Sequence, residues 1–286
     1  MLALALALGT SISWGIADFI GGVQAKKYAV LIVLLGSSSG GMLLAAVMLA
    51  VSGQDMPPTQ DLALGALAGV LGLIALAAFY RALAIGTMSI VAPISASGTA
   101  IPVAVGIADG DPVGLLTATG FLLTIGGVML ASREPREEGV EQSEDHRTSV
   151  LLAGVAAIGF GCIFVLIERA SHDSELWPVL SLKVTSLVVV AIVLALLSLS
   201  GRSYEPWPVG MLWLAPMAAG FLDVTANVMY AYATANGALS VVAVLASMFP
   251  VVTVLLAHRV LGERIVRMQK LGVALALSGV VVLALA

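Results

Sequence analysis

Long apolar runs, broken by short polar interruptions, fill almost the whole chain, and the runs are close to one length. Ten of them, at residues 2–22, 29–51, 62–84, 89–108, 113–132, 150–168, 176–199, 209–232, 239–258 and 266–285, come close to the roughly 20 apolar residues that a helix needs to cross hydrocarbon. The interruptions are of kinds that end helices. Gln24, Lys26 and Lys27 close the first run, Ser52-Gly53-Gln54-Asp55 and Pro57-Pro58 the second, and the turn-forming Asp109-Gly110-Asp111-Pro112 the fourth. The runs are too continuous for barrel strands, whose polarity alternates residue by residue. Helices are the remaining way to satisfy backbone groups inside a bilayer. The pattern predicts an all-α polytopic membrane protein with ten transmembrane helices.

The pattern is written twice. Gly86-Thr87-Met88-Ser89-Ile90-Val91-Ala92 returns as Gly237-Ala238-Leu239-Ser240-Val241-Val242-Ala243. After a shift of about one residue, Asp111, Gly120 and Gly127-Val128 line up with Glu263, Gly272 and Gly279-Val280. Residues 1–132 read as a first repeat of five helices and residues 150–286 as a second. Between them, residues 133–149 form a solvated linker rich in Glu and Asp. Five is odd, so two similar halves must lie upside down relative to each other, as in transporters built from inverted repeats. With both repeats in one chain, the protein needs no dimer to complete a cavity and is expected to work as a monomer.

Composition sharpens this picture. The chain is 60% hydrophobic and 10% charged, where a soluble domain has roughly 45–50% and 25%. The surplus apolar surface calls for lipid as its solvent. A net charge of −4 with scattered basic residues gives no nucleic-acid footprint. The single Cys162 makes no intramolecular disulfide. The first run lacks the basic start of a secretory signal, although Ala3, Ala5 and Ala7 imitate its small-residue spacing, so it reads as a retained helix. Basic residues gather at the odd-numbered connections: Lys26, Lys27, Arg81, Arg133, Arg136, Arg147, Arg202, Arg259, Arg264 and Arg267. The even-numbered connections offer little beyond Arg169. The positive-inside rule then places the odd connections in the cytoplasm and both termini outside.

Several local patterns carry a resemblance. They are Trp14-Gly15 in the first helix, Tyr80-Arg81-Ala82-Leu83-Ala84 closing the third, and Ser89-Ile90-Val91-Ala92-Pro93 opening the fourth. Leu261-Gly262-Glu263-Arg264 before the last helix, followed by Gly272 and Gly279-Val280, adds most. In this order the chain resembles bacterial EamA-type members of the drug/metabolite transporter superfamily, over nearly its whole length outside the linker. The resemblance implies a multi-pass carrier of the bacterial-type cytoplasmic (inner) membrane, with a central cavity between the two repeats. It implies export or exchange of small metabolites or drugs by alternating access, with the lipid bilayer and a small-molecule substrate as the partners and no cofactor. Two features depart from the family. Asp109-Gly110-Asp111-Pro112 stands where the second half keeps Gly262-Glu263, and the family is drawn with both termini cytoplasmic, opposite to the charge count.

Polar residues inside the apolar runs are the candidates for substrate binding. Asp223 lies near the middle of the eighth run, where an acidic residue costs roughly 2.5–3.5 kcal/mol on an insertion scale. Pro216, Gly220, Asp223, Asn227 and Tyr230 recur at helical spacing on one face, as a cavity wall requires. Asp18 shares a face of the first helix with Ser11 and Trp14. Lys183, two turns into the seventh, suits either a partner for Asp223 or an anchor for a substrate carboxylate. Ser95 and Ser247 sit in the fourth and ninth runs among prolines (Pro93, Pro102, Pro250), and broken helices at matching places in two halves mark a binding site. The predicted site is therefore Asp223, Asn227, Tyr230, Trp14, Asp18, Ser95, Ser247 and Lys183, in a cavity walled by the first, third, fourth, sixth, eighth and ninth helices. Each has a structural alternative: a hydrogen-bond knot at Asp223, an interfacial aspartate near Lys26 and Lys27, an interfacial tryptophan, and hydroxyls as helix-packing glue. Gly36-xxx-Gly40 and Gly65-xxx-Gly69 read as packing seams, and Glu263 with Arg264 as a helix cap.

Enzyme signatures are thin. Gly36-Ser37-Ser38-Ser39-Gly40 fits G-x-S-x-G on paper, but that motif needs a strand-turn-helix setting. A membrane-embedded hydrolase using Ser38 and His258 is the alternative from another class. A non-transporting sensor or assembly subunit that docks through the linker is a third reading. No metal-ligand spacing and no phosphate-binding Gly-Lys-Ser/Thr appear, so neither a metal cofactor nor direct drive by ATP is expected.

Overall fold

The computed structural model describes residues 1–86, 88–131, 144–201, 207–262 and 267–285. Every regular element among them is helical. In chain order they are α1 (Leu2–Ala25), α2 (Val30–Ser52), α3 (Thr59–Ile85), α4 (Met88–Ala96), α5 (Ala100–Ala108), α6 (Leu115–Ala131), α7 (Glu144–Ala170), α8 (Leu176–Leu199), α9 (Leu214–Ala235), α10 (Leu239–Ala246), α11 (Phe249–Leu261) and α12 (Arg267–Leu285). By length and composition, 7 helical segments can cross a membrane, and three shorter apolar helices, Ile94–Ala108, Leu115–Leu130 and Lys270–Leu283, accompany them.

The fourth and ninth predicted helices are not single. The fourth divides into α4 and α5 around a 3-10 turn at Ser97–Thr99, and the ninth into α10 and α11 around Ser247 and Met248. Proline explains both places. Pro102 and Pro250 have no N–H to offer the carbonyls of Gly98 and Ala246, four residues earlier, where the helical hydrogen bonding stops. Helix α7 starts at Glu144 rather than at residue 150, so the last residues of the predicted linker are helical. The rest of that linker, residues 133–143, lies outside the described residues, as does the predicted cap at Glu263 and Arg264.

The two halves interlock. α1 packs on α9 while α3 packs on α7, and α2 packs on α9 while α3 packs on α8. α1 also meets α10 and α11, as α7 meets α4 and α5. Across the middle, α2 meets α8, α5 meets α10, α4 meets α11, and α6 meets α12. This pattern maps onto itself when each helix of one half is exchanged for its counterpart in the other.

Small residues let these helices come close. Gly65 and Gly69 of α3 lie against the backbone of Pro178 and Leu182 on α8, and Gly40 of α2 lies against the backbone of Met217 on α9. A Cβ at any of the three would have to displace main chain, so both predicted seams are places of backbone contact. Hydroxyls then tie the seams across the halves: Ser13 Oγ donates to Leu222 O at 2.8 Å, Ser181 Oγ to Leu62 O at 2.8 Å and Ser186 Oγ to Gly69 O at 2.9 Å.

Polar residues close one end of the bundle. Helix α2 stops at Gly53, whose φ of 65° suits a glycine cap. The next residue, Gln54, donates from Nε2 to Glu175 Oε2 (3.1 Å) and to Tyr232 OH (3.2 Å). Its Oε1 accepts from Ser174 Oγ at 2.6 Å, and its carbonyl accepts from Trp177 Nε1 at 3.1 Å. One glutamine of the first half thus clasps the α7–α8 connection and the end of α9. Nearby, Asp111 accepts the backbone N–H of Ser240 at 2.8 Å and caps α10. Gly106 makes room for this cap, since a Cβ there would strike the Asp111 carboxylate.

Candidate functional site

The seams that draw α2 and α8 inward leave a cavity between the halves, of about 700 Å³ with its mouth included. Trp14 and Asp18 of α1, Ser37 and Ser38 of α2, Phe160 and Phe164 of α7, Lys183 and Ser186 of α8, Asp223 and Asn227 of α9, and Phe249 of α11 are among its lining residues. The wall differs from the predicted one. Helices α2 and α8 contribute, because their glycine contacts pull them in, and among the described residues none of α4 or α5 lines it.

A charged pair anchors one side. Lys183 Nζ and one carboxylate oxygen of Asp223 form an ion pair, and the other oxygen accepts Trp14 Nε1 at 3.1 Å. Asn227 donates from Nδ2 to the Asp223 carbonyl at 2.7 Å, which orients its amide along the same helix face. The side chains of Lys183 and Asp223 are 7% and 19% exposed, so the pair is largely out of solvent. The aliphatic stem of Lys183 passes Gly41 of α2, where a Cβ would press on it. Aromatic rings back the pair: Trp14 stacks on Phe164 with centroids 5.1 Å apart and planes at 11°. Tyr230 closes a three-ring cluster, 5.0 Å from Phe164 and 5.9 Å from Trp14.

Asp18 stands apart. It is one helical turn beyond Trp14, 8% exposed and part of the cavity wall. Among the described residues, no hydrogen bond or ion pair reaches its carboxylate.

The structure thus brings Trp14, Asp18, Lys183, Asp223 and Asn227 to one cavity and leaves three predicted residues out of its wall. Tyr230 is fully buried behind Trp14 and Phe164, and its hydroxyl has no partner among the described residues. Ser95 and Ser247 are buried at the two helix breaks and return their hydroxyls to the carbonyls of Ala92 (2.6 Å) and Val244 (2.7 Å). Phe160, Phe164 and Phe249 also line the cavity, and as apolar residues in apolar helices they give little contrast in the sequence. The one available signal was the spacing of Phe160 and Phe164, four apart on α7.

Ser38 lines the cavity from within α2, with no strand-turn-helix around it, while His258 is exposed near the end of α11. Among the described residues, no group of three His, Cys, Asp or Glu is placed to hold a metal ion.

Residues 147–285 match the model of the EamA-like transporter family. The second half of the chain is similar to that family. That family is one of transporters, and this chain has apolar helices long enough to cross a membrane. Among curated proteins, none matches the chain. A solved structure, described only as the crystal structure of a protein, superposes with a TM-score of 0.78 at 17% identity, covering 99% of this chain and 96% of that one. At that identity the likeness shows the fold alone, and it extends through both halves.

Proposed function

We propose that the protein is a secondary carrier of small organic solutes that alternates between two open states around this cavity. The observation that carries the reading is a charged pair and an unpaired carboxylate walling a cavity inside an apolar bundle. Buried ionisable groups are costly in such surroundings and mark solute and proton paths in transporters. On this reading the three shorter apolar helices complete ten spans, and the two halves are inverted repeats. Matching breaks at Ser97–Thr99 and at Ser247 and Met248, together with the exchange-symmetric packing, support the repeat.

Trp14, Asp18, Lys183, Asp223 and Asn227 contact the solute. Tyr230 stiffens the aromatic wall from behind, and Ser95 and Ser247 serve the bending of the broken helices. Export or exchange across a bacterial-type inner membrane follows the family resemblance, and a cavity carboxylate supplies a place for proton exchange. Alternation also requires the Gln54 clasp to release when its end of the bundle opens.

The test is flux into proteoliposomes of labelled amines, amino acids, nucleosides and sugars, with and without a pH gradient. Wild type and Asp223→Asn are run side by side. Flux of one class in wild type, with coupling to the gradient lost in the variant, is expected. Unaltered flux and pH dependence in Asp223→Asn would refute the role of that carboxylate, and no flux of any class would refute the carrier.

A further inference from the structure

The charges in the cavity do not balance. Among the described lining residues, Asp18 and Asp223 bring two carboxylates and Lys183 one ammonium, one formal negative charge in excess. The two acids are also held differently. Asp223 has Lys183 on one oxygen and the Trp14 indole N–H on the other. Asp18, though 8% exposed, is met by neither a cation nor a hydrogen-bond donor among the described residues. A buried carboxylate without a partner is costly, and a ligand of opposite charge removes that cost.

We infer that Asp18 is the docking point for the cationic head of the solute, and that the cargo is a monovalent organic cation, such as a protonated amine, with an apolar or aromatic body. This deepens the carrier reading and rests on it. A monocation neutralises the cavity and leaves the Lys183–Asp223 pair intact. An anion or a zwitterion must first take Lys183 away from Asp223, stranding a second buried carboxylate. The rest of the wall suits an apolar body: Trp14, Phe160, Phe164 and Phe249 all face the cavity, and aromatic rings attract cations as well as apolar groups. Asp223, besides lining the cavity, fixes Trp14, while Asp18 meets the cationic head of the solute.

The experiment uses four probes that share a phenylethyl body and differ in charge: 2-phenylethylamine, 2-phenylethanol, 3-phenylpropionate and phenylalanine. Each is titrated to millimolar concentration against the detergent-purified full chain, with thermal stability as the readout, since a ligand of the native state raises it by mass action. Wild type, Asp18→Asn and Asp18→Glu are compared. The expected result is stabilisation by the amine alone, an apparent affinity at least about tenfold weaker in Asp18→Asn, and a cation preference kept in Asp18→Glu. The Asp18→Glu variant guards against a loss caused by misfolding. Equal binding of the amine to Asp18→Asn overturns the proposal, as does tighter binding of the alcohol, the anion or phenylalanine, or binding of none of the four. Proteoliposome flux keeps the two readings distinct. Transport of the anion or of phenylalanine leaves the carrier standing while the cation assignment falls.

Discussion

A buried ion pair contributes less by its mutual attraction than by what its breakage leaves behind. Lys183→Met removes the cation and leaves Asp223 with only the Trp14 indole. We expect a loss of about 3 kcal/mol, near the lower end for such sites because the Asp223 side chain retains some exposure. Adding Asp223→Leu to the same chain should recover most of it, and denaturant unfolding in detergent measures both. A Lys183→Met variant as stable as wild type would show that the pair does not hold Asp223.

At this scale the sequence was informative wherever a residue contrasted with its surroundings. Asp18, Lys183, Asp223 and Asn227 stand out in apolar runs, and all four reach the cavity. Ser95 and Ser247 stand out less, since a hydroxyl can return its hydrogen bond to a carbonyl three residues back, as both do. Phe164 offers no contrast at all in a hydrophobic helix. Its role depends on Trp14, distant in sequence, arriving 5.1 Å away.

Among the elements, helix α10 shows how one half fastens the other. It is short, and its first turn depends on Asp111 from the α5–α6 connection. Asp111→Ala should cost about 1 kcal/mol, the usual value of a helix cap. Gly106→Ala should cost at least as much, because the added methyl displaces the capping carboxylate. Thermal unfolding of the two variants and of the double variant checks this. If both act through one cap, the double variant falls well short of additivity. Helix positions were legible within a few residues, as the polar interruptions set them. The breaks were foreshadowed by Pro102 and Pro250, but not the neighbours they meet, with Gly98 against the Ala157 carbonyl on α7 and Gly15 against α11. Those neighbours are invisible in a linear pattern.

For the whole molecule, the Gln54 clasp ties both halves at one end, and a carrier must undo it once per cycle. In a Cys162→Ser background, Gln54→Cys with Ser174→Cys, joined by a short bis-methanethiosulfonate, should lose flux and regain it on reduction. Full flux in the crosslinked protein would show that this end does not open. The charge count and the family resemblance give opposite orientations, and Lys27→Cys in the same background decides between them. The charge count expects its labelling by an impermeant maleimide only after the cytoplasmic face is exposed. The fold-level conclusion that sequence carried unaided was the all-helical membrane bundle. Which helices of one half face which of the other needed coordinates, because a repeat in sequence does not state how its copies dock.

That docking has a consequence for how the chain is made. Thr10 bonds the carbonyl of Ala226, 216 positions away, and Thr253 that of Gly15, 238 positions away. The main packing contacts of α1 to α3 lie with helices of the second half. Ribosomes add roughly 5–20 residues per second, so α1 waits in the bilayer for roughly 10–40 seconds before α9 is made, with Asp18 unshielded. The nascent first half is then an obligate client of whatever shelters polar spans during insertion. Expressed alone, residues 1–132 should be degraded, and co-expression of residues 133–286 should rescue them, with steady-state abundance as the readout.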